Sequence, residues 1–182
     1  MSNNSNIHTP YPDDASWAGL FEMAETYEEQ EELPVYDNIE FFESPSAQDK
    51  QYDSPEEVLK ALFGYDSFRA GQKEVIDSIL AGRDAFAVMP TGAGKSVCYQ
   101  VPAMLLSGIT IVISPLISLM QDQVKALNEA GIHAAFINSS LSESQISKAL
   151  YLAAGGRYKI IYIAPERLEN YEFLEFARQV EI

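Results

Sequence analysis

One segment near the middle of the chain restricts its fold more than any other. Residues 89–96 read Met-Pro-Thr-Gly-Ala-Gly-Lys-Ser, directly after a predicted apolar strand at 85–89 and at the start of a predicted helix at 95–106. Gly92 and Gly94 permit backbone conformations that other residues avoid, so that successive N–H groups can converge on a phosphate. The pattern therefore predicts a phosphate-binding loop between a strand and a helix.

The side chains of this loop indicate how a nucleoside triphosphate is held. Lys95 offers a positive charge to the β- and γ-phosphates, and the Ser96 hydroxyl is suited to coordinate Mg²⁺. The helix N-terminus adds its partial positive charge at the same place. Lys95 and Ser96 are therefore the predicted catalytic residues, and Ser96 is also the predicted Mg²⁺ ligand. The residues predicted to bind the nucleotide phosphates are Met89, Pro90, Thr91, Gly92, Ala93, Gly94, Lys95 and Ser96.

Met89 stands where the strict form of this pattern has a glycine. Helicase-type ATPases often lack that glycine, whereas kinases and GTPases normally keep it. The alternative is a chance turn of Gly, Lys and Ser, and the flanking strand and helix argue against it. Hydrolysis also needs an acid that anchors Mg²⁺, and no Asp-Glu pair ends an apolar strand between Ser96 and Ile182.

Strands and helices alternate along the chain from residue 84 onward. Apolar and β-branched runs predict strands, and helical periodicity fills the segments between them. The predicted strands lie at 85–89, 110–114, 133–137 and 159–164. The predicted helices lie at 54–63, 71–80, 95–106, 116–130, 142–154 and, for most of its length, 166–180. This order predicts an α/β fold in which helices cover both faces of a parallel sheet.

A polar and aromatic segment upstream of the loop has the chemistry to recognise a base. Tyr65 offers a ring for stacking, and the Gln72 amide complements the donor and acceptor of adenine at N6 and N7. Arg69 can lie against the base or reach a phosphate. These three are the predicted adenine-binding residues and would favour ATP over GTP. The alternative is an aromatic loop that caps a helix and keeps its polar residues at the surface.

Charge divides the chain into two parts. The formal net charge is −15, which by itself argues against a simple basic nucleic-acid binder. However, residues 1–57 hold 15 acidic side chains and one basic one, for −14, whereas residues 58–182 carry only −1. We therefore predict an acidic extension at 1–53, either a disordered tether or a peptide that folds on a basic partner. A folded domain is predicted at 54–182.

The cysteine content and the hydropathy of the chain bear on its cellular compartment and on whether it crosses a membrane. Cys98 is the single cysteine, which excludes an intrachain disulfide and a cysteine-based zinc site and fits a reducing, cytoplasmic setting. Residues 97–120 are uncharged, but Gln100, Pro102 and Gly108 interrupt them, so no membrane span is predicted. A monomer is expected.

Together these segments resemble the RecQ family of DNA helicases. Residues 68–72, Phe-Arg-Ala-Gly-Gln, are similar to the adenine-reading motif 0 of that family, and residues 89–103 are similar to its motif I. Residues 114–124 resemble motif Ia, and residues 162–168, with Pro-Glu-Arg, resemble the block that follows it.

The resemblance extends over residues 55–182 and implies the front part of a RecA-like P-loop lobe. By that resemblance, the chain comes from an ATP- and Mg²⁺-dependent 3′–5′ helicase that acts on single-stranded and duplex DNA in repair and recombination. The Asp-Glu-x-His motif II of the family does not occur, so the chain resembles an N-terminal fragment.

A DNA-facing edge is implied as well. Ligands of open parallel sheets bind at the carboxyl ends of the strands, where hydroxyls and backbone N–H groups can hold phosphates. The alternative for the serines there is ordinary helix capping. The residues predicted to contact nucleic acid are Ser114, Pro115, Ser118, Gln121, Pro165, Glu166 and Arg167.

Two other functions stay open at this point. A small nucleotide-binding or kinase-type P-loop enzyme would share the loop, but its binding would not depend on Gln72. A non-enzymatic, truncated lobe would instead use the acidic extension as an interaction module. If the helicase interpretation holds, we expect the isolated polypeptide to bind nucleotide weakly and not to unwind DNA.

Overall fold

The computed structural model describes residues 51–182, and its centre is a parallel sheet. The described strands are β1 (Thr110–Ile113), β2 (Ala134–Ile137) and β3 (Ile160–Ile163), in the spatial order β1–β3–β2. In register, Ile160 pairs with Thr110 on one side and with Ala134 on the other. The strand that comes last in the chain is therefore the middle strand of the sheet.

Helices precede and separate these strands, as the sequence pattern predicts. They are α1 (Pro55–Phe63), α2 (Gln72–Leu80), α3 (Val97–Leu105), α4 (Ile117–Glu129), α5 (Glu143–Ala154) and α6 (Tyr171–Gln179). A 3₁₀ turn at Pro165–Arg167 lies between β3 and α6. The predicted α/β class with a parallel sheet is confirmed.

Local capping determines where two of these helices begin. The Ser54 side chain accepts the N–H of Glu57 at 3.2 Å, and Gly64 ends α1 in the left-handed region at φ 71°. At the start of α5, Ser142 and Gln145 exchange side-chain and backbone hydrogen bonds in a capping box.

The main core packs against β3. All four β3 residues are buried, so both faces of the middle strand are covered. On one face, Ile160 and Tyr162 belong to a cluster with Met120 and Val124 of α4. Alternation along the strand turns Ile161 and Ile163 to the opposite face, where they are buried too.

A second cluster attaches the first two helices to the helix that follows the phosphate loop. It joins Val58 and Leu59 of α1, Ile76 of α2, and Val97 and Val101 of α3. Because these five side chains are at most 8% exposed, the start of α3 has a fixed place relative to the segment between α1 and α2.

The predicted strand at 85–89 is wrong. The segment has no regular secondary structure, and its Phe86 and Val88 side chains are 96% and 84% exposed. An apolar run becomes a strand only where a neighbouring strand takes up its backbone N–H and C=O groups. None of the three described strands pairs with this segment.

The predicted helix at 166–180 is divided in two. Asn170, which precedes α6, has an extended backbone with φ −69° and ψ 136°. This residue separates the 3₁₀ turn from α6, so the Pro-Glu-Arg block lies outside the α-helix.

Two further predictions relate to the limits of the description. The acidic extension falls outside the described residues, apart from residues 51–53. In the part of the chain that the structure does describe, no helix combines the length and the apolar character that a membrane crossing needs.

Substituting Gly108 tests how closely the loop before β1 packs against the chain at residue 181. Gly108 has φ 69°, and a Cβ there would overlap the backbone carbonyl of Glu181. That carbonyl accepts the Ile109 N–H at 2.8 Å, and the Ser107 hydroxyl donates to the Glu181 carboxylate at 2.6 Å. We expect Gly108→Ala to lower the free energy of unfolding in urea by about 2–4 kcal/mol, from backbone strain and the loss of these bonds.

Gly82→Ala is the matched control, because Gly82 has the same φ of 69° but open space around its Cβ position. It should lose only about 1–2 kcal/mol, the cost of the left-handed backbone. Equal losses in the two variants would contradict the close contact at Gly108.

Candidate nucleotide-binding site

The phosphate loop adopts the backbone that its glycines predict. Gly92 and Gly94 have φ values of 80° and 78°, in the left-handed region. The Ala93 N–H donates to the Pro90 carbonyl at 3.2 Å, which closes a turn inside the loop. Helix α3 then begins directly after Ser96, so its N-terminus opens onto the loop.

Lys95 and Ser96 lie at the junction of loop and helix. The Lys95 ammonium donates to the carbonyls of Met89 and Pro90, both at 3.1 Å, and thus folds back across the loop. Ser96 is the N-cap residue of α3, but its side chain makes no capping hydrogen bond. The charge and the hydroxyl that phosphate and Mg²⁺ require are therefore adjacent, and neither is buried.

Gln72 connects the upstream segment to the phosphate loop. Its side-chain Nε2 donates to the carbonyls of Ala93 and Gly94 at 3.1 and 3.0 Å, and its Oε1 accepts the Arg69 N–H at 2.9 Å. The residue is only 3% exposed. Sequence reasoning assigned Gln72 to the base, whereas in this structure both amide donors hold the loop.

The second glycine of the loop explains how Gln72 can approach so closely. A Cβ at Gly94 would lie 2.6 Å from Gln72 Nε2, closer than real Cβ atoms come to a neighbour. At Gly92 the same Cβ would meet nothing within 4 Å. The glycine at position 94 was the sequence signal that could have indicated the close approach of Gln72.

Of the other two predicted adenine-binding residues, one contacts the loop. Arg69 Nη1 donates to the Gly92 carbonyl at 2.5 Å. Tyr65 is 52% exposed, and the Asp66 beside it pairs with Lys60 at 2.8 Å. The structure thus brings Arg69 and Gln72 to the phosphate loop, while the Tyr65 ring lies at the surface.

The residues predicted to contact nucleic acid lie on two neighbouring strand ends and the helix that follows one of them. Ile113 pairs with Ile163, so Ser114 and Ala164 follow adjacent strands at the same edge of the sheet. The Ser114 side chain accepts the Leu116 N–H at 3.4 Å in a turn before α4, whose N-cap Leu116 has no side-chain capping bond. Pro115 follows directly, Ser118 and Gln121 lie on α4, and Pro165, Glu166 and Arg167 form the 3₁₀ turn.

Comparison with known proteins identifies the family. The sequence model of the DEAD/DEAH box helicases matches residues 69–181, which include Gln72, the phosphate loop and all three described strands. The chain belongs to the DEAD/DEAH box helicases. The predicted resemblance to RecQ helicases is confirmed as well, and the parallel sheet with its helices is part of a RecA-like α/β lobe.

Several RecQ-type helicases are similar over about two thirds of this chain. The ATP-dependent DNA helicase RecQ of Bacillus subtilis is 51% identical over 126 residues, 69% of this chain and 21% of that protein. The RecQ helicase of Haemophilus influenzae is 50% identical over 118 residues, 65% of this chain and 19% of that protein. The helicase Q-like 5 of Arabidopsis thaliana is 47% identical over 121 residues, 66% and 13% of the two chains. The chain thus spans about a fifth of the length of its bacterial relatives.

A DEAD/DEAH box helicase uses ATP, usually with Mg²⁺, and the residues present fit these groups. The left-handed backbone at Gly92 and Gly94 allows successive N–H groups of the loop to face a phosphate oxygen. Mg²⁺ is commonly held by one or two protein oxygens together with substrate phosphates and water, so the Ser96 hydroxyl suits it. Among residues 51–182 no group of three or more His, Cys, Asp or Glu side chains could hold a metal ion without a ligand's help.

Removing the Gln72 amide should destabilise the loop. Gln72→Ala leaves the carbonyls of Ala93 and Gly94 and the N–H of Arg69 without their partner, and we expect a loss of about 1–3 kcal/mol in urea unfolding. Glu74→Ala, on an exposed position of the same helix, is the control and should change stability by less than about 0.5 kcal/mol. Indistinguishable midpoints for the two variants would contradict a stabilising role for the Gln72 contact.

Proposed function

We propose that this chain is the ATP-binding part of a RecQ-type 3′–5′ DNA helicase, with Lys95, Ser96 and the loop from Met89 to Gly94 at the triphosphate. The single observation that carries the proposal is the direct bonding of Arg69 and Gln72 to the loop carbonyls. A segment suited to a base and a loop suited to phosphates form one hydrogen-bonded unit, as an adenine nucleotide requires. A generic phosphate-binding turn has no need of such a partner.

In this proposal each side chain has a separate task. Lys95 exchanges the Met89 and Pro90 carbonyls for phosphate oxygens, which its point charge favours. The α3 N-terminus and the loop N–H groups orient the phosphates, and bound Mg²⁺ would neutralise them beside Ser96. Tyr65 stacks on the adenine from its exposed position. Because Gln72 must release its contacts with Arg69 and the loop before it can bind adenine, binding of the base is linked to the loop conformation.

The ends of the three described strands offer no carboxylate for ATP hydrolysis. Hydrolysis needs a carboxylate that anchors the metal near the phosphate loop. The residues that directly follow β1, β2 and β3 are Ser114, Asn138 and Ala164, none of which is acidic. We therefore propose that the chain binds ATP but does not hydrolyse it at a measurable rate.

We also propose that DNA lies across the carboxyl edge of β1 and β3. Arg167 is only partly buried, so its guanidinium charge can act on a phosphate at this edge. Ser114, Ser118 and Gln121 add neutral donors on the same edge. Pro165 and Glu166 are exposed and shape the turn there. The domain at 54–182 would act as a monomer in the cytoplasm.

Equilibrium binding of ATP and GTP with Mg²⁺ to the 182-residue chain tests the proposal. We expect ATP to bind more tightly than GTP. Lys95→Ala should weaken ATP binding at least about tenfold, the loss of one charge-assisted hydrogen bond. Gln72→Ala should remove the preference for ATP over GTP. Phosphate release should stay at the level of buffer alone.

Three results would count against it. Equal binding of ATP and GTP that survives Gln72→Ala would favour the small P-loop enzyme. Robust ATP turnover would contradict the predicted inactivity of the chain. If neither ATP nor GTP binds to a chain that unfolds cooperatively, the result would favour the interaction module. Asp77→Ala, on the exposed face of α2, is the control and should bind both nucleotides as the unsubstituted chain does.

A further inference from the structure

Four polar side chains form a network that joins α3, the middle strand and α4. The hydroxyl oxygens of Tyr99 and Tyr162 lie 3.0 Å apart. Gln100 Nε2 donates to the Tyr162 hydroxyl oxygen at 3.4 Å and to Gln123 Oε1 at 3.1 Å. The two rings meet edge to face with their centroids 6.4 Å apart. We call Tyr99, Gln100, Gln123 and Tyr162 the tyrosine–glutamine network.

The tyrosine–glutamine network is partly buried, and Tyr162 lies among apolar side chains. Tyr162 and Gln100 are 2% and 5% exposed, and Tyr162 packs in the apolar cluster with Met120 and Val124. Burying a hydroxyl or an amide costs free energy unless its hydrogen bonds are made. Purely apolar side chains would fill the same space without that requirement. Satisfied polar networks instead fix one geometry between the elements that they join.

The Tyr162 hydroxyl keeps its proton, and with it a hydrogen-bond donor of the network, over the ordinary pH range. Burial, with the nearby Tyr99 hydroxyl, raises the pKa of Tyr162 far above its ordinary value. Tyr162 therefore stays neutral and protonated, and the arrangement of the three elements does not change with pH through this group.

One end of the network lies a single helical turn from the phosphate loop. The N–H groups of Tyr99 and Gln100 both donate to the Ser96 carbonyl, at 3.2 and 2.9 Å. These bonds belong to the first turn of α3, so a displacement of Ser96 carries both side chains with it. Through Tyr99 and Gln100 this turn contacts Tyr162 of β3 and Gln123 of α4.

The other end lies on the helix that begins at the proposed DNA edge. Gln123 is on α4, two residues after Gln121 and five after Ser118. Its Oε1 accepts a hydrogen bond from Gln100 Nε2, which is a direct side-chain contact between α3 and α4. The network thus connects α3, whose N-cap is Ser96, to α4, which carries two residues of the proposed DNA edge.

We propose that the tyrosine–glutamine network is a positioning device that couples nucleotide at the phosphate loop to the conformation of α4. The inference rests on the proposed function, because it requires the loop to bind a nucleotide. Gln123 is a positioning residue, since it acts through Gln100 and not on the nucleotide itself. A coupling of this kind is reciprocal, so DNA bound at α4 changes nucleotide affinity by the same factor.

Hydrogen–deuterium exchange of α4, with and without saturating ATP and Mg²⁺, tests the inference on the 182-residue chain. We expect nucleotide to slow exchange at Ile117–Glu129 at least about fivefold, the lower end of ordinary coupling between sites. Gln123→Met keeps the length of the side chain but removes the acceptor, and should abolish the effect. Gln123→Glu keeps an acceptor for Gln100 and should restore it.

Asn128→Ala is the control for a merely structural effect. Asn128 lies on the same helix and exchanges two hydrogen bonds with the backbone of Ala134, at 3.2 and 3.0 Å. This variant should lower stability yet keep the nucleotide-dependent slowing of α4.

Each remaining outcome counts against a defined claim. Nucleotide binding without a change in α4, or an equal change in the Gln123→Met and Gln123→Glu variants, would overturn the coupling and leave the proposed function standing. No nucleotide binding by the unsubstituted, folded chain would overturn the proposed function, and the coupling with it.

Discussion

The hydrogen-bonded and buried position of β3 is the constraint on which the described domain depends. Four residues, Ile160–Ile163, pair with a strand on each side and pack on both faces. Since β3 is the middle strand, it sets the register of β1 and β2 and hence the positions of Ser114 and Asn138 after them. The same strand supplies Tyr162, so one short apolar run supports both the sheet and the polar network beneath α3.

The phosphate loop depends on a second interaction, the bonding of the Gln72 amide to two loop carbonyls. An open loop has many conformations, and the entropy of ordering it must be offset by contacts. Gln72 and Arg69 supply these contacts from outside the loop, while the α1–α2–α3 cluster holds their segment in place. The loop is thus shaped by a neighbouring segment and not only by its own glycines.

Signals that act over a few residues were readable from the sequence. Ser54 and Gly64 mark the ends of α1, and Ser142 with Gln145 marks the start of α5, because a cap needs only its own helix. The predicted strand at 85–89 was wrong for the opposite reason. A strand requires a partner strand, and the apolar run itself does not specify one. The α/β class could be predicted because alternation along the chain is enough for it.

The same distinction applies to the site. The loop at 89–96 is contiguous, so its residues could be found by pattern. The Gln72 contact spans 21 or 22 residues of sequence, and the Tyr99–Tyr162 contact spans 63. Only the fold brings such pairs within hydrogen-bonding distance, and neither pair has a spacing that a local pattern would reveal.

Net charge does not decide whether this domain can bind a polyphosphate. Residues 58–182 carry −1 in total, so no long-range field attracts an anion to them. Contact donors act differently, because N–H groups at a helix start and a single ammonium bind at distances well within the screening length of about 10 Å at 0.1 M salt. In the proposed function, recognition of the nucleotide therefore depends on the shape of the loop. Since Gln72 helps to determine that shape, a neutral substitution at one buried position can change anion binding while the net charge stays the same.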